Sequence, residues 1–309
     1  MAKNSVLVVG SSNTDMIVKA ARIPKPGETI LGGEFATCAG GKGANQAVAA
    51  ARAGAKVTFI GCVGLDMFGE RAVVGLKAEG INVGYVVREK SRPSGVALIV
   101  VSSRGENSIA VASGANANLC PADLRKARSA FRDAKVVLLQ LETPLETVRV
   151  AAEMANEAGV PVILNPAPAQ PLPTALLKRV YLLTPNESEA EILTGIRVRN
   201  ESAATQAAAK LRARGVENVI ITMGARGAFL ATKNFRGLIR GRKVEAVDAT
   251  AAGDVFNGAL AVALAEGKSL IEAAHFANAA AAISVTRLGA QTSVPRRREI
   301  ERLLGTKSS

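Results

Sequence analysis

The chain has 309 residues, of which 48% are hydrophobic, and a formal net charge of +13. That length and apolar content exclude a disordered chain and allow a large buried core. The charge invites a nucleic-acid reading, but Lys and Arg are scattered and aromatics are only 3% with no Trp, so base-stacking platforms are scarce. Residues Ser5–Gly10 and Val57–Gly61 read as strands, separated by an Ala-rich helix from Gly43 to Arg52. From Lys135 onward strands and helices alternate. Val136–Leu141 is predicted as strand, Leu145–Ala158 as helix, and Val160–Leu164 and Tyr181–Thr184 as strands. Glu187–Leu193 and Ser202–Arg214 follow as helices, then Val219–Met223 as strand. Lys243–Val247 reads as another strand. It leads through Asp248–Asp254 into a helix on which Val255, Phe256, Ala259, Leu260, Ala263 and Leu264 repeat at helical spacing. Leu270–Val285 continues in helical pattern.

Short apolar strands alternating with amphipathic helices signal parallel βαβ units. The expected fold is α/β, a doubly wound, mostly parallel sheet flanked by helices, in a single domain spanning 1–309. Two segments break the rhythm. Met16–Ala39 holds Pro24, Pro26 and the pair Gly32-Gly33 among strand-like pieces, and Gly95–Val101 with Asn107–Ala112 reads as a hairpin. Neither carries a crossover helix, so they predict a small β appendage, about 16–39 and 94–113, beside the ligand crevice and acting as a lid. Gly32-Gly33 and the links near Gly114 are its expected flex points. The closing Gly-Thr-Lys-Ser-Ser is expected to fray.

The longest apolar runs are too short to span a bilayer, and the N-terminus lacks the apolar region and cleavage site of a signal peptide. A cytoplasmic location is expected, with neither membrane nor nucleic acid as partner. The basic clusters Arg236–Lys243 and Arg296–Arg298 read as a solvated surface that attracts anionic ligands such as nucleotides. Cys38, Cys62 and Cys120 have no zinc spacing and are expected to be buried thiols. The single histidine, His275, falls in the last helical pattern and reads as structural, which leaves little room for a Ser-His-Asp mechanism.

Polar residues collect just after predicted strands, where an α/β crevice would gather them. The stretch Asp248–Asp254 places Ala252 and Gly253 at a helix N-terminus, whose outward N–H groups and dipole favour an anion. Gly253 admits a ligand close to the backbone, and Asp254 puts a carboxylate beside it. An anion cradle with an adjacent base suits transfer of a phosphoryl group to a hydroxyl. Asp254 is expected to keep a low pKa there. Asn13 and Asp15 follow the first strand. Gly40-Gly41-Lys42-Gly43-Ala44-Asn45-Gln46 opens a helix without Walker A spacing. Glu142 ends the run Val-Val-Leu-Leu-Gln-Leu. Carboxylates and amides with little aromatic surface suit a polyhydroxylated ligand, although any one of them alone has a structural explanation. Asn186 reads as an N-cap, or with Glu189 as a contact to Mg²⁺ and nucleotide phosphates through water. Thr222–Gly227 follows a strand and would approach a nucleotide.

These motifs occur in the order found in the PfkB family of carbohydrate kinases, and the chain resembles its ribokinase-like branch. The shared set includes Asn13-x-Asp15, Gly40–Ala47, Leu164–Ala169, Thr184–Glu191, Ala251–Asp254 and Val285–Gln291. The resemblance implies ATP-dependent phosphorylation of ribose at O5, with deoxyribose or another sugar or nucleoside as the alternative acceptor. It implies that Asn13, Asp15, Gly41, Lys42, Asn45 and Glu142 hold the sugar. Asn186, Thr222, Gly224, Gly227, Gly253 and Asn278 would line the ATP site, with Asn186 and Glu189 serving Mg²⁺ and phosphate. Ala251, Ala252 and Gly253 would form the anion hole and Asp254 the base. A potassium ion would sit at Asp248, Thr250, Ser284, Arg287, Gly289 and Ser293, held mainly by backbone oxygens. Pairing of the lids in a homodimer is also implied. One departure is Ala249, where many relatives carry Thr.

Overall fold

The structure, a computed structural model, describes residues 4–305. Its strands are β1 (Ser5–Val9), β2 (Asn13–Ala20), β3 (Glu34–Gly40), β4 (Lys56–Ile60), β5 (Cys62–Gly64), β6 (Val87–Glu89) and β7 (Gly95–Ser102). There follow β8 (Asn107–Ala112), β9 (Val136–Leu139), β10 (Val162–Leu164), β11 (Leu182–Leu183), β12 (Asn218–Thr222), β13 (Gly227–Ala231) and β14 (Arg236–Arg240). Eight of them form the central sheet in the order β14-β13-β12-β11-β10-β9-β1-β4. From β4 to β12 the neighbours are parallel, and β13 and β14 close that edge antiparallel.

Both faces of this sheet are buried, which is why its strands read as unbroken apolar runs. Leu7, Val9, Val137 and Leu139 enter one apolar cluster, with the helices Leu145–Glu157 and Glu201–Ala213. Val6, Val8, Val136 and Leu138 enter the other, with the helices Lys42–Arg52, Ala252–Ala265 and Leu270–Ser284. The chain runs from β1 to β4 on one side and later continues through β9 to β12 on the other. The strand order therefore reverses between β1 and β9, and a crevice opens at their C-terminal ends.

A separate four-stranded sheet, β3-β2-β7-β8, stands apart from the central one. Its strands fall in or beside the two stretches that broke the βαβ rhythm, and β7 and β8 pair as the expected hairpin. β2 follows β1 after only Gly10–Ser12, so this sheet is rooted at the crevice.

Some expectations are corrected. Lys243–Val247 is not a strand. Lys243, Glu245 and Val247 are exposed, so the segment has no face to bury, and the strand before the late helix is β14. The basic run there conceals that edge strand. Of the cysteines only Cys62 is buried; Cys38 is partly exposed, Cys120 is exposed, and all three are free. His275 lies exposed on its helix. Except for Gly305, the C-terminal residues expected to fray lie outside the described residues. No helix among the described residues is long and apolar enough to cross a membrane.

The helix Ala252–Ala265 is almost wholly buried and packs against the helices Lys42–Arg52 and Leu270–Ser284. Small side chains permit the approach: a Cβ on Gly258 would lie 2.5 Å from Ala49 Cβ and 2.7 Å from the Gln46 carbonyl oxygen. Gly258→Val is expected to destabilise the fold by about 1–3 kcal/mol in urea titration, since backbone cannot yield as a flexible side chain would. Gly75→Ala, in the helix Met67–Ala78 with nothing near its added carbon, should stabilise by ~0.4–1 kcal/mol.

Candidate active site

The crevice at the strand ends collects a carboxylate from each of several elements. Asp254, in the first turn of its helix, is 6% exposed. Its Oδ2 accepts from Asn45 Nδ2 at 3.1 Å and its Oδ1 from Gln46 Nε2 at 2.9 Å. Burial pushes its carboxyl above the usual range, against the lowering effect of Lys42 and the two amides, while Glu142 adds to the rise. The expectation of a low value is thereby corrected, because desolvation outweighs the helix dipole and the donors.

The helix Lys42–Arg52 begins where Gly41, at φ 88°, brings the chain against β2. A Cβ at Gly41 would lie 2.7 Å from the Asn13 nitrogen, so the turn is closed to larger residues. Glu142, after β9, accepts from the Lys42 backbone N–H at 2.9 Å and from the Ser11 hydroxyl, both through Oε2. Asp15, on β2, has its carboxyl raised to about 6 by burial, then by the charges of Glu142 and Asp254, with Lys42 opposing. Burial alone would lower the Lys42 amine, but Asp254, Glu142, Glu189 and Asp15 together hold it above its ordinary value. One cation thus serves four carboxylates.

Lys42 and Asp254 line a cleft of about 170 Å³ together with Asn165, Asn186, Glu189, Thr222, Ala249 and Ala251–Gly253. Asn45 reaches this cleft through its bond to Asp254, and Asn13 stands on β2 near Gly41, bonded through Oδ1 to Asn116 Nδ2 at 2.8 Å. Ala251 has φ 59°, the left-handed region, alone among non-glycine residues described. Such a conformation costs about 1–3 kcal/mol and is tolerated where surrounding structure demands it. It turns the chain into the helix so that the Gly253 N–H takes no backbone acceptor, whereas Ala252 N–H donates to the Ala249 carbonyl at 3.2 Å. The Asn257 amide secures this start by donating to the Gly253 carbonyl at 2.8 Å.

Asn186 and Glu189 form a capping box, each side chain accepting from the other's backbone N–H at 2.8 Å. They also line the cleft, so the capping bonds do not withdraw them from it. Thr222, bridged to Asn186 across the sheet end, borders it too. Gly224, Gly227 and Asn278 are not on the wall of this cleft. Gly224 and Gly227 flank the turn joining β12 to β13, and Asn278 donates to the Ile239 carbonyl of β14 at 2.9 Å.

Asp248 binds two loops together: Oδ1 accepts from Thr250 N–H at 2.9 Å and Oδ2 from Gly289 N–H at 2.8 Å. The Val247 and Asp248 amides both donate to the Val285 carbonyl. Ser284 ends the helix Leu270–Ser284, Arg287 and Gly289 follow it, Ser293 closes the short helical turn Gln291–Ser293, and the Arg287 guanidinium pairs with Glu299. The loop closes through Asp248 and Thr250, so Ala249 contributes only backbone. Among the described residues no three His, Cys, Asp or Glu side chains cluster to hold a metal ion.

Sequence reasoning assigned no role to Gln46, Gln140, Asn165 or Asn257. A signal existed for two of them: Gln140 interrupts an apolar run, and Asn165 directly follows β10.

Comparison with known proteins identifies the family. A family model described as pfkB family carbohydrate kinase matches residues 3–297. A ribokinase of Haemophilus influenzae is 46% identical over 297 residues, covering 96% of this chain and 97% of that one. A deoxyribokinase of Salmonella typhi is 39% identical, covering 94% and 95%. The solved structure of an Arabidopsis thaliana ribokinase complexed with ribose and ATP matches with a TM-score of 0.93 at 36% identity, covering 98% and 99%. The chain belongs to the pfkB family of carbohydrate kinases.

Proposed function

We propose that the chain is a ribokinase, transferring the γ-phosphoryl group of ATP to O5 of D-ribose to give D-ribose 5-phosphate and ADP. The observation that carries this reading is the buried Asp254 carboxylate, held by amides and set beside a helix start whose backbone can receive an anion. Ribokinases at up to 46% identity over nearly the full length support the choice of sugar. Asp15 and Glu142 supply acceptors and Lys42 and Asn45 donors for hydroxyls, with Gly41 giving backbone access. Asn13 and Asp254 complete the sugar pocket. Asn186, Thr222, Gly224, Gly227, Gly253 and Asn278 are assigned to ATP.

In the reaction the O5 lone pair forms a bond to the γ-phosphorus while the bond from that phosphorus to the β–γ bridging oxygen breaks. ADP takes the electron pair, and the O5 proton passes to Asp254. An alcohol is a far weaker acid than a carboxylic acid, so this transfer comes late and Asp254 chiefly orients the hydroxyl. Stabilisation of the transferring group falls to the helix start, where the Gly253 N–H is free to receive it and Ala251 and Ala252 shape the turn around it.

Glu189 is a single half-buried carboxylate that already caps a helix. Such a donor set fits a Mg²⁺ that arrives on the nucleotide and is met by Asn186 and Glu189 through water and phosphate. Mg²⁺ would neutralise phosphate charge. The loops around Asp248 offer oxygens and one carboxylate, which fits a large monovalent cation such as potassium. Thr250, Ser284, Arg287, Gly289 and Ser293 would hold it with Asp248, and it would add positive charge beside the anion site.

We assign the small sheet, within one domain, as a lid over the crevice, excluding water that would otherwise accept the phosphoryl group. By register Val18, Phe35 and Leu98 share one of its faces and Ile109 and Val111 the other, all exposed. Uncovered apolar groups on both faces support pairing with the lid of a second copy. A cytoplasmic location, where ATP is supplied, is part of the same proposal.

Asp254→Asn should lower kcat by at least ~10²-fold with the thermal transition retained, and near wild-type turnover would remove Asp254 from the mechanism. Because the Asn13 carbonyl oxygen is occupied by Asn116, its amide N–H is left for the sugar's 2-hydroxyl. A 2-deoxy sugar would leave that donor unpaired, so kcat/KM for ribose should exceed that for 2-deoxyribose by ~10²-fold or more, measured by ADP release with and without potassium. Equal values would defeat the ribokinase assignment. Sedimentation should give about twice the 31.9 kDa chain mass, and Phe35→Glu should halve it; a wild-type monomer at working concentration contradicts lid pairing.

A further inference from the structure

Behind Asp254 lies a row of amides that the reaction as described does not use. Gln46, wholly buried in the helix Lys42–Arg52, donates through Nε2 to Asp254 Oδ1 at 2.9 Å and to Asn165 Oδ1 at 3.1 Å. Its Oε1 accepts from Gln140 Nε2 at 2.6 Å. These orientations are not interchangeable. Asn165 Nδ2 donates to the Thr184 carbonyl at 3.1 Å, and a backbone carbonyl can only accept. Asn165 must therefore turn its Oδ1 to Gln46. Gln46 must answer with its NH₂, and only that way round does Asp254 meet a donor.

We propose that Gln46 is a positioning residue for the phosphoryl-transfer step: its amide, fixed by Asn165 and Gln140, pins Oδ1 of Asp254 and so sets the carboxylate plane that receives the attacking hydroxyl. Asn45 does the same for Oδ2, while its own Oδ1 accepts from Gln291 Nε2 at 3.2 Å. Each carboxylate oxygen keeps lone-pair capacity for the sugar, but the plane can no longer rotate. Gln140 adds an unusual observation. Its Oε1 is buried without any hydrogen-bond partner, and a side chain at Gly10 would collide with it. A buried amide oxygen left unpaired forfeits its hydration without compensation. That cost is sustained at the point where Gln140 directs its NH₂ group to Gln46.

The proposal rests on Asp254 as the proton acceptor, so its test separates the two ideas. Gln46→Met keeps length and removes the donor. Expected is a fall in kcat of ~10²-fold with KM for ATP unchanged, as misplacement of a reacting group gives. The acid limb of kcat/KM should also move to higher pH. The sign follows because the lost bond favoured the ionised carboxylate, so Asp254 protonates more readily and activity fails sooner as pH falls. Lys42, Glu142, Asp15 and Glu189, the other charged groups facing Asp254, are untouched by the change.

Gln140→Met, one bond further back, should move the limb the same way by less. An unmoved acid limb with wild-type kcat in Gln46→Met overturns the positioning role, as does a fall in rate with no change in pH profile. Should Gln46→Met fail to fold, Gln140→Met decides by the same criterion. If Asp254→Asn keeps full turnover, the base assignment itself fails instead.

Discussion

A carboxylate with almost no contact with water persists in this interior because amide N–H groups from another helix meet both of its oxygens. Taking an ionised carboxylate out of water costs several kcal/mol even after relaxation, and it is sustained only with compensating donors and charge. Asn45 and Gln46 are consecutive residues on one helix, and Asp254 opens another. Their meeting fixes the distance and rotation between those helices. Gly258 against Ala49 makes the approach sterically possible one turn further along. Packing and chemistry are thus set by the same helix pair.

The sheet explains why the remaining groups arrive there. Reversal of strand order between β1 and β9 sends the two following chains to opposite sides and leaves a gap at their ends. Ser11 and Asn13 leave β1 into that gap, Gln140 and Glu142 leave β9, and Asn165, Thr184 and Thr222 follow at the ends or just beyond the next strands. Four carboxylates converge on one cation, Lys42, and burial, followed by the charges of Glu142 and Asp254, raises Asp15 to about 6. Carboxylates gathered this closely are a set of acceptors that hydroxyl donors suit.

Much of this was legible in the chain because strand-end placement is a local property. Apolar runs followed by Asn13, Glu142 or Asn186 declared both the strand and the crevice. What escaped was long-range or antagonistic. Gln46 reads as an ordinary helical polar residue, since its partner Asp254 is 208 positions away. Lys243–Val247 alternates as a strand should, but alternation says nothing about whether an edge is free to receive it. The acidity of Asp254 was misjudged because a helix terminus is visible in sequence and the depth of its burial is not. Cys120 was misjudged for a related reason, as the usual preference of thiols for the interior does not locate any single one.

β2 joins the two sheets in a way that bears on how the molecule works. It follows the central strand β1 after three residues and carries Asn13 and Asp15 at its base, while Lys42, Glu142 and Asp254 belong to the segments around the central sheet. A sugar lodged between them would span a joint and not a single wall. On the proposed assignment of Asn13 and Asp15 to the sugar, load on the outer strands would pass straight to two of the groups gripping it, and occupancy of the pocket and posture of the appendage would then report on each other in both directions.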